Sequence, residues 1–448
     1  MSDAFDYVFL GTSPALAYAA FILSSQGKSC CIVDASSTYG GWSSSLSPPK
    51  FDSSTNSFAP TFSSFKHLYH SDSFPPRFCR TTSVDLVPTT FPCNSISIDL
   101  IRDHNLSQHF FFSSPSSISV RENSTFTEIP MSGHAVFRSK SLTPRQKRSM
   151  VKLIQSITID NQSSESDHTS WFDFLSKFDL PDLVLNSLTF ALPYPLLFNQ
   201  EKLLVNHDLN DVQSSTMIEA ISSFVKGSHR FSSESPFLLN MYGSSEFSQV
   251  FSRGSAVNGS VFLLNTTSNL IEDQDLIKLQ CEVEGAPNEI SFKYLIFDQF
   301  HCPYVVDNQI SSKIGRICLI SKIPLITNDI LSSFLFFKFE NLMIFGMQYD
   351  HLCTKNVPKD HYLIYFWCHF PVIHDDEIVQ KMESFLNNLI NEIEPIWGYT
   401  FVQNLYEKSI IKNSDRNNIL SVFDSPLVSS FDQSISIANE LLEYIKMT

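Results

Sequence analysis

The hydrophobic pattern opens with a buried strand over residues 6–10 (Asp-Tyr-Val-Phe-Leu). Gly11-Thr12-Ser13-Pro14 predicts a tight turn, and the Ala- and Leu-rich stretch 15–26 predicts a helix. Gly27-Lys28 closes that helix, and residues 29–33 predict a second strand ending on Asp34. Strand, helix and strand together form the opening unit of a Rossmann fold. Ser-, Pro- and Thr-rich residues 43–64 and the stretch 113–117 predict loops.

The period changes over residues 143–228. Apolar positions recur at three and four: Met150, Leu153, Ile154, Ile157; Phe172, Leu175, Phe178; Leu185, Leu188, Leu192; Ile218, Ile221, Phe224. A helical segment is thus set inside a strand-rich chain. Strands return at 260–264, 279–283, 316–320, 343–348 and 362–370. Helices close the chain at 375–392 and 432–446, the last burying Ile435, Ala438, Leu441, Leu442 and Ile445.

Composition narrows the class. With 448 residues, 43% hydrophobic, the chain predicts two domains or one large domain with an insertion, and excludes a disordered one. Net charge is −15 with no basic block, which excludes nucleic acid as a partner. Nine cysteines without a CxxC pair exclude a structural zinc site and predict reduced, mostly buried thiols in a cytosolic protein. Acids near the N-terminus argue against a signal peptide. The apolar stretch 331–347 is interrupted by Lys338 and Glu340, so no membrane span is expected. No cysteine ends the chain, so it is not expected to be prenylated itself. The thirteen histidines come without a Gly-x-Ser-x-Gly elbow, so hydrolase chemistry is not expected.

A dinucleotide site needs Gly-x-Gly-x-x-Gly after the first strand. Only Gly11 of that set is present; Ser13 puts a Cβ where a phosphate oxygen would sit, and Pro14 removes an amide from the cradle. Asp34 stands where a ribose-binding acid belongs, followed by Tyr39-Gly40-Gly41-Trp42, with Trp42 where amine-oxidase-type flavoenzymes carry an arginine. The expectation is a scaffold that binds no flavin or nicotinamide, with a flavin-dependent oxidoreductase as the competing reading.

Three blocks carry a family resemblance. Residues 5–12 with Asp34 and Tyr39-Gly-Gly-Trp-Ser-Ser-Ser45 resemble the first signature of the Rab escort protein and Rab GDP-dissociation-inhibitor superfamily. Residues 235–265, containing Met241-Tyr242-Gly243-Ser244-Ser245-Glu246-Phe247-Ser248-Gln249 and Arg253, are similar to its most specific block without a gap. Here Ser245 replaces a Gly and Ser248 a Pro. Residues 83–88 form a weaker block between them. Residues 129–148 and 171–192 resemble the escort branch, whereas the length is that of a dissociation inhibitor.

The resemblance implies an α/β fold: a degenerate FAD/NAD-binding Rossmann-like domain with mixed sheets (1–133 and 229–448) plus an inserted all-helical domain (134–228). It implies no catalysis and no cofactor. An escort protein is the accessory, component A, subunit that presents unprenylated GDP-bound Rab GTPases to Rab geranylgeranyltransferase. It then chaperones the geranylgeranyl-bearing product from the cytoplasm to membranes; a dissociation inhibitor recycles prenylated Rabs instead. By the same resemblance Tyr39, Glu246, Arg253 and Gln249 match the Rab-binding platform, and Phe224 with Arg230 matches the docking site for the transferase α-subunit. Read without the motif, Tyr39 could be a packing residue, Glu246 and Arg253 could pair with each other, and the apolar domain II positions could be core or lipid slot.

Overall fold

The Phe5–Leu10 strand (β1) carries Val8, Phe9 and Leu10 with both faces covered, as an interior parallel strand requires. It pairs in parallel with Cys30–Asp34 (β2) on one side and Ala286–Asp298 on the other. In the computed structural model these belong to an eight-stranded mixed sheet ordered Val261–Leu264, β2, β1, Ala286–Asp298, Leu276–Val283, Ser268–Asp273, with Ile419–Val422 and Ile410–Lys412 branching from the Ala286–Asp298 strand. The structure describes residues 4–48, 62–69, 81–115, 117–122, 125–130, 133–159, 170–191, 194–197, 201–206, 213–228, 230–231, 235–273, 276–283, 286–301, 307–326, 332–413, 416 and 418–447.

The helices in chain order are α1 (Pro14–Ser25), α2 (Ile96–Asp103), α3 (Gly133–Arg138), α4 (Pro144–Ile159), α5 (Trp171–Ser176), α6 (Asp182–Asn186), α7 (Glu201–Asn206), α8 (Ser214–Gly227), α9 (Glu246–Val257), α10 (Asp375–Leu389) and α11 (Asp432–Met447). Pro14 starts α1, where its missing N–H costs nothing. The small side chains of Ala15, Ala17, Ala19 and Ala20 are buried, and α1 packs closely against α9 and α11.

A second eight-stranded sheet runs Phe62–Tyr69, Pro395–Tyr406, Ile310–Ser321, Tyr362–Phe370, Leu342–Tyr349, Ser332–Phe339, Ser117–Glu122, Thr125–Ile129. One face is covered by α10 through Ile378, Met382, Phe385 and Leu389. Among the described residues between 133 and 228 every helix or strand assigned is helical, including a π-helical turn at Ser187–Ala191. Tyr194 anchors this segment to the second sheet: its hydroxyl accepts a hydrogen bond from Trp367 Nε1 at 2.7 Å, and its ring lies 4.2 Å from that of Phe345.

Two expected loops are partly strand. Phe62–Tyr69 pairs with Pro395–Tyr406, and the stretch expected as a loop at 113–117 borders strands Phe112–Ser113 and Ser117–Glu122. Ladder pairing with neighbouring strands overrides the turn bias of their serines. Leu192 and residue 229 lie outside the described residues. The seven described cysteines are all buried and unpaired. No described helix is long and apolar enough to cross a membrane.

Candidate functional site

The groove at the N-terminus of α1 is where a dinucleotide's pyrophosphate would lie. There Ala15 N donates to Asp424 Oδ2 at 2.8 Å, and Ser434 Oγ donates to Asp424 Oδ1 at 2.6 Å. Gln299 clamps the same residue, accepting Asp424 N at 2.9 Å and donating to Asp424 O at 3.1 Å. Asp424 is fully buried. Burial raises its carboxyl to about 6 against the opposing pull of the Ser434 and Ala15 donors. A helix N-terminus favours an anion, and here the anion is the protein's own carboxylate.

The ribose position is closed as well. Asp34 Oδ2 accepts from Thr12 Oγ1 at 2.7 Å, while Oδ1 accepts from Ser36 N at 2.8 Å and His301 Nε2 at 3.0 Å. His301 Nδ1 lies 2.8 Å from Asp298 Oδ1. Burial works against a charged His301, but the Asp298 and Asp34 carboxylates outweigh it and raise the imidazole to about 10. A partly buried imidazolium thus bridges two buried carboxylates. Gly11 (φ +106°) lets the chain pass this cluster, since a Cβ there would fall 2.2 Å from Asp298 Oδ2. Trp42 is wholly buried and packs 5.8 Å from the Phe431 ring, and Ser13 Oγ is buried without a hydrogen-bond partner among the described residues. These residues do not fit a flavin or nicotinamide dinucleotide: the helix amide, the ribose acid and the space are all taken by the chain itself.

The three sequence blocks converge on a second feature. Ser45 Oγ donates to Asp85 Oδ1, Ser244 N donates to the same oxygen at 3.0 Å, and Ser245 N donates to Ser45 Oγ at 3.1 Å. Gly243 has φ +94°, and a Cβ there would come within 2.5 Å of Ser45 Oγ and Asn356 Nδ2. This bolted turn launches α9 and sets Tyr242 at the surface, 49% exposed, with its ring 5.6 Å from that of Phe111, 53% exposed. Lys355 N and Thr354 Oγ1 donate to Met241 O at 2.7 and 3.0 Å, which brings the segment carrying exposed Leu352 alongside.

The expected platform residues divide. Gln249 and Arg253 are exposed one helical turn apart on α9, and Gln249 Nε2 donates to Ser245 Oγ at 2.9 Å. Arg253 has no ion-pair partner among the described residues. Tyr39 is half-buried, edge-on to Phe262 at 6.2 Å. Glu246 corrects the expectation of a surface contact: it is 6% exposed, and its Oε1 accepts Phe111 N at 3.3 Å. Burial raises its carboxyl to about 7, opposed by the Phe111 and Tyr242 amides. It pairs with Phe111, not with Arg253, and orders the exposed aromatic pair.

Phe224 also departs from its expected role. It is 5% exposed and meets the Phe237 ring edge-on at 5.7 Å, so it belongs to the core. Arg230 donates to Asp99 Oδ1 at 2.5 Å and to Cys93 O at 2.8 Å, with its guanidinium 5.6 Å from the ring of the more exposed Phe231. Phe111 escaped the sequence reading, although the run Phe110-Phe111-Phe112 holds the signal: in extended chain the outer two face one way and the middle one the other. Phe110 and Phe112 stack at 5.7 Å, leaving Phe111 outward.

Residues 1–342 match the family described as GDP dissociation inhibitor. Among curated relatives, the rat Rab proteins geranylgeranyltransferase component A 1 is 24% identical over 309 residues, covering 64% of this chain and 44% of that protein. Rab escort protein 1 of Arabidopsis thaliana is 28% identical over 304 residues, covering 58% and 54%. A guanosine nucleotide diphosphate dissociation inhibitor of the same plant is 22% identical over 281 residues, covering 61% and 58%. The chain spans about half the length of the curated relatives it matches. In fold it is similar to the Rab GDI of Plasmodium falciparum, with a TM-score of 0.76 at 16% identity over 99% of this chain and 98% of that one. A putrescine oxidase shares the fold more distantly, with a TM-score of 0.53 at 11% identity over the whole of both chains. The family match over three quarters of the sequence, the GDI-like fold and the groove closed by its own side chains make one conclusion: the chain belongs to the GDP dissociation inhibitor family, within the Rab escort protein and Rab GDP-dissociation-inhibitor superfamily.

Proposed function

We propose that this chain is a non-catalytic escort-type protein that binds GDP-bound Rab GTPases and presents them, unprenylated, to a Rab geranylgeranyltransferase. The product, carrying a geranylgeranyl lipid, is then accompanied through the cytoplasm to membranes. The observation that carries this reading is the exposed Phe111–Tyr242 pair at the head of α9, the helix on which Gln249 and Arg253 are exposed, with all but Phe111 on the chain's most family-specific segment. Exposed aromatics and arginines are the residue types enriched in protein-binding hot spots. Arg253 offers a planar donor fork to carboxylates or carbonyls of a partner, Gln249 and Tyr39 extend the polar rim, and Glu246 acts from beneath by positioning Phe111.

The relatives named as component A and as escort protein support the escort branch. The helices α3–α8 are the proposed lipid-holding domain, and the transferase α-subunit is assigned to the surface around Arg230 and Phe231 rather than to Phe224. A recycling role is the second reading, favoured by the near-complete structural overlap with a Rab GDI. The test mixes the protein with an unprenylated GDP-Rab, geranylgeranyl diphosphate and the transferase. Lipid transfer that depends on this chain supports the escort reading; transfer unaffected by it, with extraction of prenylated Rab from membranes, supports recycling.

A further inference from the structure

Residues 133–159 contain Arg138, Lys140, Arg145, Lys147, Arg148 and Lys152 and no Asp or Glu, in a chain of net charge −15. These cations are spaced too widely to read as a basic block, but the fold gathers them. Pro144, Lys147, Arg148, Val151 and Lys152 share one face of α4, and with Phe137 of α3 they line a groove of about 450 Å³. Phe137 is 68% exposed above it. Lys147 Nζ donates to Phe137 O at 2.7 Å, which fixes α3 against α4, and Arg145 is taken by Asp179 at 2.7 Å. Arg138, Lys140, Arg148 and Lys152 are exposed and form no ion pair among the described residues. Arg138 and Lys140 line a second hollow with His134 and with one acid, Glu128.

We propose that this α3–α4 face docks on an anionic lipid bilayer. Its chemistry is that of an interfacial surface: an exposed aromatic and an apolar groove that enter the headgroup layer, framed by cations that meet lipid phosphates and carboxylates. An acidic peptide would satisfy the cations but has no need of the protruding Phe137. The acidic remainder of the molecule is repelled by the same bilayer, which favours approach through this face. The inference goes beyond the Rab reading and does not rest on it, because the Phe111–Tyr242–Arg253 surface lies on other elements.

The test is flotation of the full chain with phosphatidylcholine vesicles, with and without phosphatidylserine. Binding is expected only with phosphatidylserine, and it weakens as salt is raised. The double substitution Arg148→Glu/Lys152→Glu reduces partition by about tenfold or more, and Phe137→Ser reduces it further at high salt. Both are surface changes, so the melting curve and GDP-Rab binding are retained. Absence of any phosphatidylserine preference in the parent, or undiminished partition of a normally melting double variant, overturns the proposal. So does a double variant that loses binding to the transferase while its vesicle binding is unchanged, which would make the face a protein-docking surface. Loss of GDP-Rab binding in a normally melting variant would overturn the separation of the two surfaces.

Discussion

Glu246 is held in its protonated form at a pH where an exposed glutamate is ionised. Its folded carboxyl titrates near 7, so its contribution to stability is fully present below about 4.5 and is lost as pH rises through 7. Asp85 and Asp424, raised by burial to about 6, act in the same direction slightly lower. Glu246→Gln keeps an acceptor for Phe111 N–H and removes the titration. Thermal melts should show it more stable than the parent above pH 7, by up to about 3 kcal/mol, with a flatter profile between pH 5 and 8. An unchanged slope would mean that the carboxylate is solvated. Arg253→Ala is the complementary case: exposed and unpaired, it should leave the melt intact while weakening GDP-Rab binding by about 2 kcal/mol or more, readable by calorimetry. Unaltered affinity would remove Arg253 from the surface. At this scale the sequence motif singled out Gln249 and Arg253, and both are exposed on α9. It could not separate Glu246 from them, because burial of a first-turn acid depends on Phe111, more than a hundred residues away.

Among the elements, those marked by a compact apolar run or a helical period between turn signals were readable, and those without such punctuation were not. β1, α1, β2, Tyr362–Phe370 and α11 each match the expected span to within a residue, since their periodicity is local. Pro395–Tyr406 was missed: it is paired on both sides, by Phe62–Tyr69 and Ile310–Ser321, but Gly398, Thr400, Gln403 and Asn404 interrupt its apolar run, so neither alternation nor a continuous apolar stretch marks it. α9 sits in the most recognisable motif, yet its serines and glycine mask the helical period. α11 carries a prediction of its own. Asp432 at its start accepts Ser97 N at 3.1 Å, Ser434 holds Asp424, and Ile435, Ile437, Leu441, Leu442 and Ile445 are buried. Each such side chain contributes roughly 1.5–3 kcal/mol when fully buried, together comparable with a whole domain's stability. Deletion of residues 433–448 should therefore give an insoluble or molten chain, as judged by near-UV circular dichroism and dye binding. A soluble, cooperatively melting fragment would show α11 to be dispensable.

At the scale of the whole molecule, an oxidoreductase-like architecture has been closed around its own polar groups. Sequence alone exposed the loss of the glycines, because those positions are contiguous. It did not expose what replaced the ligand, because Asp424, Asp298, Gln299 and His301 reach the groove from distant strands. His301, raised to about 10, contributes stability that is fully present below its unfolded value near 6.5 and lost only as pH rises through 10. The bridge therefore persists across the physiological range. FAD or NAD added to the purified protein should leave the melting temperature unchanged, whereas a ligand at a hundred times its dissociation constant adds about 2.7 kcal/mol.

The carboxylate at the head of α1 has a consequence for the cell as well as for the fold. Flavoproteins of this architecture draw on a vitamin to complete their interior, so their abundance follows its supply. Asp424 is made by the ribosome along with the rest of the chain. Cells starved of riboflavin should therefore accumulate as much folded protein as cells that are fed.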